Sequence, residues 1–325
     1  MKANNDKLSD VQSDPSRIQI GIRRVGISDI PKIIRRKRFG VYNELSAKID
    51  VYVDLLPSKR GIHMSRNIEA INEVIATLTG EVITDCEELC AKIAEKVITV
   101  QPGARYAEVS LRADYEMETF SNAISRKKSS VHKLRAGAYA KKKENKITIT
   151  KVIGAEVEGT TVCPCSQELS RDISKERLLK EGFSEEQIKK IIENVPMAAH
   201  NQRSKSILLL EQPRDAERIE LEDIIEILET SMSAPIHEVL KRRDELAVVL
   251  YAHEHPVFVE DVVRIILRKV SKKFVKQPQQ TIVSVKQINY ESIHQHNAVA
   301  EVKTTLESLD NQLNGYEKDE NTENK

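Results

Sequence analysis

The hydrophobic pattern of this chain changes between a period of two and a helical period, and the same order of changes occurs in each half. In the first half, strand-like stretches and helices alternate as strand 41–56, helices 67–79 and 85–98, and strands 105–118, 129–140 and 146–158. The second half repeats this with strand 205–211, helices 219–231 and 258–273, and strands 281–290 and 298–306. Because each element has one face to bury, this order predicts an α+β chain of two related antiparallel modules.

The pattern also predicts where the modules begin and end. We expect a first module over 17–160, a second over 161–307, and disordered polar tails at 1–16 and 308–325. Residues 168–195 form a charged helical stretch that breaks at Gly182 and Phe183. We interpret this stretch as an insertion, because it separates two polar motifs that would otherwise be close in sequence.

Composition excludes several classes of protein. Aromatic residues make up 4% and Trp is absent, so stacking platforms for single-stranded nucleic acid are poorly supplied. The net charge of +1 gives no overall attraction to nucleic acid or membrane, although clumps such as Lys141-Lys142-Lys143 could be solvated faces or line a pocket for a polyanion. No apolar run approaches the roughly 20 residues of a membrane helix, and the polar start lacks a signal peptide, so a cytoplasmic protein is expected.

Four cysteines in a chain of 325 residues do not form a disulfide framework, so they are expected to be thiols or metal ligands. Pro164 fixes its own φ and biases Cys163 toward an extended backbone, so Cys163-Pro164-Cys165 presents two thiols from a restrained turn. Thiolates bind zinc and related metals, but half-buried thiols would give the same pattern. Cys86 and Cys90, four residues apart on a predicted helix, are interpreted as packing residues.

Further polar clusters could complete a site. His200-Asn201-Gln202-Arg203-Ser204 enters a predicted strand, where successive polar side chains are costly to bury without partners. A surface-loop histidine is the alternative interpretation of His200. The stretch from Lys241 to Asp261 offers several carboxylates together with His253 and His255, which we expect in a loop. His294 and His296 would share a face of an extended chain, as a metal pair or for proton transfer or phosphate binding.

A basic loop precedes the first predicted helix. Its cations and the backbone N–H groups of the helix N-terminus suit a phosphate, although an ordinary basic loop would look the same. Five candidates for phosphate contact are Lys59, Arg60, His63, Arg66 and Arg203.

Taken together, these segments resemble the type IB GTP cyclohydrolases, and within them the archaeal branch that serves methanopterin biosynthesis. The resemblance covers most of residues 40–305, and the long insertion is what points to the archaeal branch. The motifs that carry it are, in chain order, RGIHMSR at 60–66, CPCSQE at 163–168, AHNQRS at 199–204, LKRRDE at 240–245, FVED at 258–261 and ESIHQH at 291–296.

The resemblance implies the tunnelling fold, in which each module is an antiparallel sheet with two helices on one face. It also implies a homodimer or homotetramer with active sites at subunit interfaces. Cys163, His200 and Glu245 would be the metal ligands, with water in an open position. The metal would be Fe²⁺, with zinc or manganese also compatible with such a ligand set.

The same resemblance implies roles for the remaining site residues. Glu260 would be an extra carboxylate near the metal, Glu291 would accept hydrogen bonds from the guanine N–H groups, and His294 would transfer protons. His63, Arg66 and Arg203 would bind substrate. Metal-bound hydroxide would add to C8 of GTP, C8 would leave as formate, and the product would be 7,8-dihydroneopterin 2′,3′-cyclic phosphate.

Three alternatives stay open at this point. A bacterial-type enzyme would release dihydroneopterin triphosphate, and a related pterin-forming enzyme would use that triphosphate as its substrate. A protein of a different class would be a nonenzymatic nucleic-acid-binding regulator with a structural metal, but a structural zinc normally has four protein ligands and only one Cys-rich motif is present.

Overall fold

The computed structural model describes residues 12, 14–38, 41–78, 85–144 and 146–323. Its strands are β1 (Ile22–Arg38), β2 (Val41–Leu55), β3 (Tyr106–Ser121), β4 (Arg126–Lys143), β5 (Lys146–Val162), β6 (Asn201–Pro213), β7 (Ala234–Pro235), β8 (Ile282–Asn289) and β9 (Ala298–Thr305). Its helices are α1 (Met64–Leu78), α2 (Cys86–Val100), α3 (Pro164–Lys180), α4 (Glu185–Asn194), α5 (Leu221–Glu229), α6 (Arg242–Glu254), α7 (Val259–Lys273) and α8 (Leu306–Glu323).

These elements confirm the predicted α+β class. The strands hydrogen-bond in the order β1-β2-β3-β4-β5-β6-β8-β9, and the short β7 pairs with β5. The β1–β2, β2–β3, β5–β7 and β8–β9 pairs are antiparallel. Every strand and helix that the hydrophobic pattern predicted is present, within a few residues at each end.

The chain divides into two compact units, each built from several segments. The first comprises residues 1–114, 135–153 and 211–215, and the second comprises 115–134, 154–210 and 216–325. Strands β3 to β6 contribute residues to both, so the units are not consecutive halves of the sequence. The predicted module boundaries, 17–160 and 161–307, therefore stay a prediction.

In the first unit, α1 and α2 pack against each other and against β1 and β2. Strand β2 buries alternate residues, with Ile49, Val51 and Val53 fully buried, as a half-buried strand should. Cys86 and Cys90 are buried on α2, which confirms the packing interpretation. Burial raises the pKa of the Cys90 thiol well above its usual value, so this thiol is an inert packing residue.

In the second unit, α7 packs on β8 and β9 and also contacts α5. Val262, Ile266 and Val270 recur at helical spacing on α7 and are completely buried. This unit, like the first, combines antiparallel strands with a pair of packed helices, which is the make-up that the resemblance implied for a tunnelling-fold module. Among the residues that the structure describes, no helix is long and apolar enough to cross a membrane.

The predicted insertion is a pair of helices, α3 and α4, that pack against each other. Gly182 adopts φ +88° just after α3, and its N–H donates to Leu179 O at 3.0 Å. A left-handed residue of this kind ends a helix and favours glycine. Ser184 then caps α4, because its hydroxyl accepts from Gln187 N while the Gln187 side chain accepts from Ser184 N.

Four elements of the structure were not predicted from the sequence: β1, α6, α8 and the two-residue β7. β1 ends the strand order, where Pro31 is tolerated because an edge strand need not donate on both sides. α8 occupies residues 306–323, where a disordered tail was predicted from 308. It is anchored by the buried Leu306 and Leu309, and Thr305 Oγ1 accepts from Ser308 N at 3.2 Å. Most of the predicted N-terminal tail lies outside the described residues.

The β1–β2 pair contains an irregular register next to a close approach of the two backbones. The register shifts between Ile27 and Ile30, where Asp29 has φ +55° and its N–H donates to Asp50 Oδ1 at 2.7 Å. A Cβ atom added to Gly26 would lie 1.8 Å from Val51 O. Only glycine fits this position without a backbone shift.

We predict that Gly26→Ala destabilises the protein by about 1–3 kcal/mol, the usual cost of forcing an extra methyl into a packed site. The measurement is the free energy of unfolding from urea titration. Gly315→Ala is the matched control, because a Cβ there meets nothing within 4 Å and the residue lies in α8. The prediction fails if the two substitutions change stability by the same amount.

Candidate active site

Cys163 lies at the junction between β5 and α3. It is the residue just before α3, with φ −75° and ψ 115°, and Pro164 occupies the first turn of the helix. This confirms the predicted extended backbone at Cys163 and follows from the restriction that proline places on its predecessor. The Cys163 residue is half-buried, whereas Cys165 is exposed.

The Cys163 and His200 segments are joined through their backbones. Cys163 N donates to His200 O at 3.1 Å. Ser166 Oγ accepts from His200 N at 3.2 Å and donates to Cys163 O at 3.4 Å. The two motifs therefore meet in space, as the insertion interpretation predicted.

The His200 side chain is held by polar groups from two segments. Its Nδ1 lies 3.0 Å from Gln202 Oε1 and 3.8 Å from Glu291 Oε2. Gln202 Nε2 donates to Thr161 Oγ1 at 3.1 Å, and the Thr161 and Ser204 hydroxyl oxygens are 2.6 Å apart. Sequence reasoning missed Thr161 and the role of Gln202; the only signal was the run of polar residues entering β6.

Glu291 reaches the site from the segment that follows β8. Tyr290 N donates to Arg203 O at 2.9 Å, which fixes this segment against β6. The Glu291 side chain is 10% exposed, and its Oε2 is buried without a hydrogen-bond partner among the described residues. A buried carboxylate oxygen in this state is an acceptor for a donor that a ligand could supply.

One further histidine lies beside His200, and another stacks on that neighbour. The His294 ring contacts the His200 ring edge-on, with centroids 6.4 Å apart, and stacks on the His296 ring at 5.1 Å. The two rings lie on the same side, but they belong to a loop and not to the extended chain from which a shared face was predicted.

The two remaining carboxylates with implied roles lie in first turns of helices. Glu245 is exposed in the first turn of α6, and Glu260 is exposed in the first turn of α7. Val257 N donates to Val162 O at 3.1 Å, which brings the start of α7 toward the Cys163 segment. Within the described ranges, no three side chains of His, Cys, Asp or Glu form a group that could hold a metal ion. The implied ligand set is thus not assembled in this structure: Cys163 and His200 belong to adjoining segments, and Glu245 as third ligand stays a prediction.

His253 and His255, predicted as loop residues, belong to α6 and its C-cap. The prediction is wrong for His253, which lies in the last turn of α6, whereas His255 is the residue just after the helix. Each Nδ1 lies within hydrogen-bond distance of a carbonyl four residues earlier, Val249 O at 2.8 Å and Tyr251 O at 2.7 Å. His253 Nε2 lies 3.4 Å from Ala199 O, and His253 O accepts from Gln167 Nε2 at 2.7 Å. These bonds support the segment that carries His200.

His63 and Arg66 belong to the first unit; His63 lies just before α1, and Arg66 lies in the first turn of that helix. Arg66 N donates to His63 O at 3.1 Å, and Arg66 Nη1 donates to Val100 O at 3.3 Å. The buried Gln101 side chain donates to both His63 O at 2.8 Å and Asn67 Oδ1 at 2.6 Å. The loop is thereby fixed to the turn after α2.

Arg203 is exposed on β6 and pairs with Glu158 at 3.2 Å. Both line a cavity of about 400 Å³ in the second unit. A buried charge cluster forms another part of its wall: Lys128 Nζ lies 2.5 Å from Glu229 Oε1, and His132 Nε2 lies 3.5 Å from the same oxygen. All three side chains are at most 7% exposed.

Burial lowers the pKa of His132; the Glu229 carboxylate opposes this shift and the Lys128 ammonium adds to it. Burial also lowers the pKa of His237, which lines the same cavity. The unfolded chain therefore binds these protons more readily than the folded chain. Folding stability should fall as pH drops below about 6.5, the ordinary value for imidazole.

We predict that His132→Gln reduces this acid sensitivity. The free energy of unfolding, measured in urea between pH 7.5 and pH 5, should fall less steeply with decreasing pH in the variant. One titrating proton changes the slope by at most about 1.4 kcal/mol per pH unit. An identical slope in variant and wild type would show that His132 does not contribute.

A cysteine at a strand-to-helix junction, an imidazole beside it, a carboxylate with an unfilled acceptor and a second imidazole together define an enzyme-type site. The chain matches the family described as type I GTP cyclohydrolase folE2 over residues 8–300. It is 43% identical over 307 residues to a protein of Methanobrevibacter smithii, covering 94% of this chain and 98% of that protein. It is 40% identical over 309 residues to a protein of Methanocaldococcus jannaschii, covering 95% and 98%. Both relatives are named GTP cyclohydrolase MptA.

The chain therefore belongs to the type I GTP cyclohydrolase family, which confirms the resemblance and decides against the nonenzymatic alternative. Among solved structures, a hyper-thermostable AgUricase mutant is 8% identical with a TM-score of 0.49, over 89% of this chain and 94% of that one. A likeness at this level bears on neither the activity nor the site of this chain.

Proposed function

We propose that this chain is a GTP cyclohydrolase that opens the imidazole ring of guanine and releases C8 as formate. A hydroxyl of the pterin side chain then attacks the α-phosphorus, the outer two phosphates leave as diphosphate, and 7,8-dihydroneopterin 2′,3′-cyclic phosphate forms. The product would feed synthesis of a methanopterin-type cofactor. Family membership and the names of the relatives support the activity. The observation that carries the proposal is the convergence of His200, Glu291 and His294 beside the Cys163 segment.

Glu291 is proposed to select guanine. The N1–H and 2-amino groups of guanine are both donors on one edge, and adenine lacks this pair. Glu291 Oε2 is buried with no partner among the described residues, so a donor that reaches it recovers the free energy lost by desolvation. Glu291 is adjacent to Tyr290, whose backbone bond to Arg203 holds it in place.

His294 is proposed to transfer protons during ring opening. Its ring is exposed and contacts the His200 ring, so it can reach a substrate while it stays next to the site. Opening of the imidazole ring requires a proton at the departing nitrogen, and an imidazole is suited to that transfer near neutral pH. Glu260, in the first turn of α7, is proposed as a further carboxylate near this centre.

The metal is a separate proposal. Cys163 and His200 would supply a sulfur and a nitrogen ligand from adjoining segments. Fe²⁺, zinc and manganese differ in their affinity for such ligands, but the pair excludes none of them. The third ligand, Glu245, does not form a group with them. A bound metal would lower the pKa of a water molecule and so supply hydroxide near neutral pH.

Phosphate binding and assembly complete the proposal. His63, Arg66 and Arg203 are proposed substrate-binding residues, since each is polar and at least partly exposed. A homodimer or homotetramer is proposed because α6 exposes Leu246 and Val249, 59% and 49% accessible, on the helix that carries Glu245. The particle mass in solution tests this: a monomer at micromolar concentration would exclude it.

The test of function is anaerobic incubation of iron-loaded protein with GTP. We expect formate and a fluorescent pterin in equal amounts, with mass spectrometry detecting a cyclic monophosphate. Cys163→Ala should abolish turnover and metal retention, whereas Cys165→Ala, two residues away and exposed, should retain metal. Formation of dihydroneopterin triphosphate would favour the bacterial-type reaction, and failure to consume GTP would overturn the proposal.

We predict that Glu291→Gln weakens the preference for guanine. A hydrogen bond to a charged acceptor contributes about 1.5–3 kcal/mol, so the ratio of GTP to ATP affinity should fall by about 10- to 150-fold. Competition binding with both nucleotides measures this ratio. Glu301→Gln, which removes an exposed carboxylate on β9, is the control. An unchanged ratio in Glu291→Gln would remove the assigned role.

A further inference from the structure

The His200 imidazole faces two acceptors on one side of its ring. Gln202 Oε1 lies 3.0 Å from His200 Nδ1, and Glu291 Oε2 lies 3.8 Å from the same nitrogen. A neutral imidazole carries its proton on one nitrogen and a lone pair on the other. If Nδ1 carried the lone pair, it would face two acceptor oxygens with no hydrogen between them. A proton on Nδ1 instead donates to Gln202 Oε1 and is attracted to the Glu291 carboxylate.

The orientation of the Gln202 amide is fixed at its far end. Gln202 Nε2 donates to Thr161 Oγ1 at 3.1 Å, and Thr161 Oγ1 lies 2.6 Å from Ser204 Oγ, so the Thr161 hydroxyl can accept from Gln202 and donate to Ser204. Gln202 is 6% exposed, and Thr161 and Ser204 are fully buried. Because these groups are buried, a Gln202 amide with its oxygen and nitrogen exchanged could not replace the lost hydrogen bonds with bonds to solvent.

We propose that Gln202 is a positioning residue that holds His200 as the Nδ1–H tautomer and so leaves the Nε2 lone pair for the site. Which ring nitrogen is available is set by the hydrogen bond that the other nitrogen makes. The effect of the tautomer on turnover rests on the proposed function, but the assignment of the tautomer does not depend on that function. Gln202 acts through His200 and touches no reacting atom.

The chain offers a matched control in Gln287, a buried glutamine on β8. Gln287 Oε1 accepts from Ser206 Oγ, and Gln287 Nε2 donates to Asn289 Oδ1 at 2.9 Å. Like Gln202, it links a serine hydroxyl network within the second unit, but its two recorded partners are not histidines. Gln287→Leu therefore reproduces the loss of a buried amide without touching the imidazole.

The test is the tautomer of His200, read from the ¹⁵N shifts of its two ring nitrogens in histidine-labelled, metal-free protein at neutral pH. His200→Gln assigns the signal. We expect Nδ1–H in wild type and in Gln287→Leu, and loss of the preference in Gln202→Leu. Gln202→Glu, which keeps an acceptor oxygen, should restore Nδ1–H. Turnover of GTP should fall by about 10- to 100-fold in Gln202→Leu, the usual effect of removing such a partner.

An Nε2–H tautomer in wild type would overturn the inference, and this measurement requires only the assignment variant, His200→Gln, to fold. An unchanged Nδ1–H tautomer in folded Gln202→Leu would also overturn it. If the wild-type protein shows Nδ1–H, loses it in Gln202→Leu and yet does not consume GTP, the positioning role holds while the proposed function fails. The two ideas are thus tested separately.

Discussion

The site depends on one backbone hydrogen bond, from Cys163 N to His200 O at 3.1 Å. It joins the end of β5 to the start of β6 on either side of the α3–α4 insertion. This pairing places Thr161 on β5 next to Gln202 on β6, and their side chains hydrogen-bond. Gln202 in turn fixes the orientation of the His200 ring, because its Oε1 lies within hydrogen-bond distance of His200 Nδ1. Ser166, in the first turn of α3, reinforces the pairing from both sides. The insertion can thus extend as a helical pair without displacing the residues at its base.

The parts of the fold that the sequence predicted are those with a strong periodic signal. On α7, Val262, Ile266 and Val270 form one buried face, and a helix with such a face is recognisable from spacing alone. The elements that were missed bury little. Ala252 is the only buried residue that α6 contributes, and β1 is an edge strand rich in arginine and lysine. Their formation depends on neighbours that no local pattern reveals.

The sequence predicted the residues of the candidate site better than the hydrogen bonds that link them. Cys163, His200 and His294 were chosen from motifs, and Glu291 was chosen from the family resemblance. The structure brings His200, Glu291 and His294 together beside the Cys163 segment. The connecting groups could not be read in advance, because whether a buried Gln or Thr has a partner depends on strand register. The run of polar residues after His200 was the only indication of these hydrogen bonds, because polar side chains are buried in a sheet only when they have hydrogen-bond partners. Glu245 was chosen by resemblance alone, and its position in an exposed helical turn does not by itself bring it to the other two.

The two sides of the site differ in how completely their polar groups are hydrogen-bonded. The side of His200 toward the core is satisfied, with Gln202, Thr161 and Ser204 linked in one chain of hydrogen bonds. On the Glu291 side, a buried carboxylate oxygen lies 3.8 Å from His200 Nδ1 and has no hydrogen-bond partner within the described part of the chain. Leaving a buried acceptor without a hydrogen bond costs about 1–3 kcal/mol, or more when the acceptor is charged. That free energy becomes available to a ligand that supplies an N–H group. A rigid, satisfied inner side and an unsatisfied outer side therefore favour binding of a donor-bearing ring edge over an edge that presents acceptors.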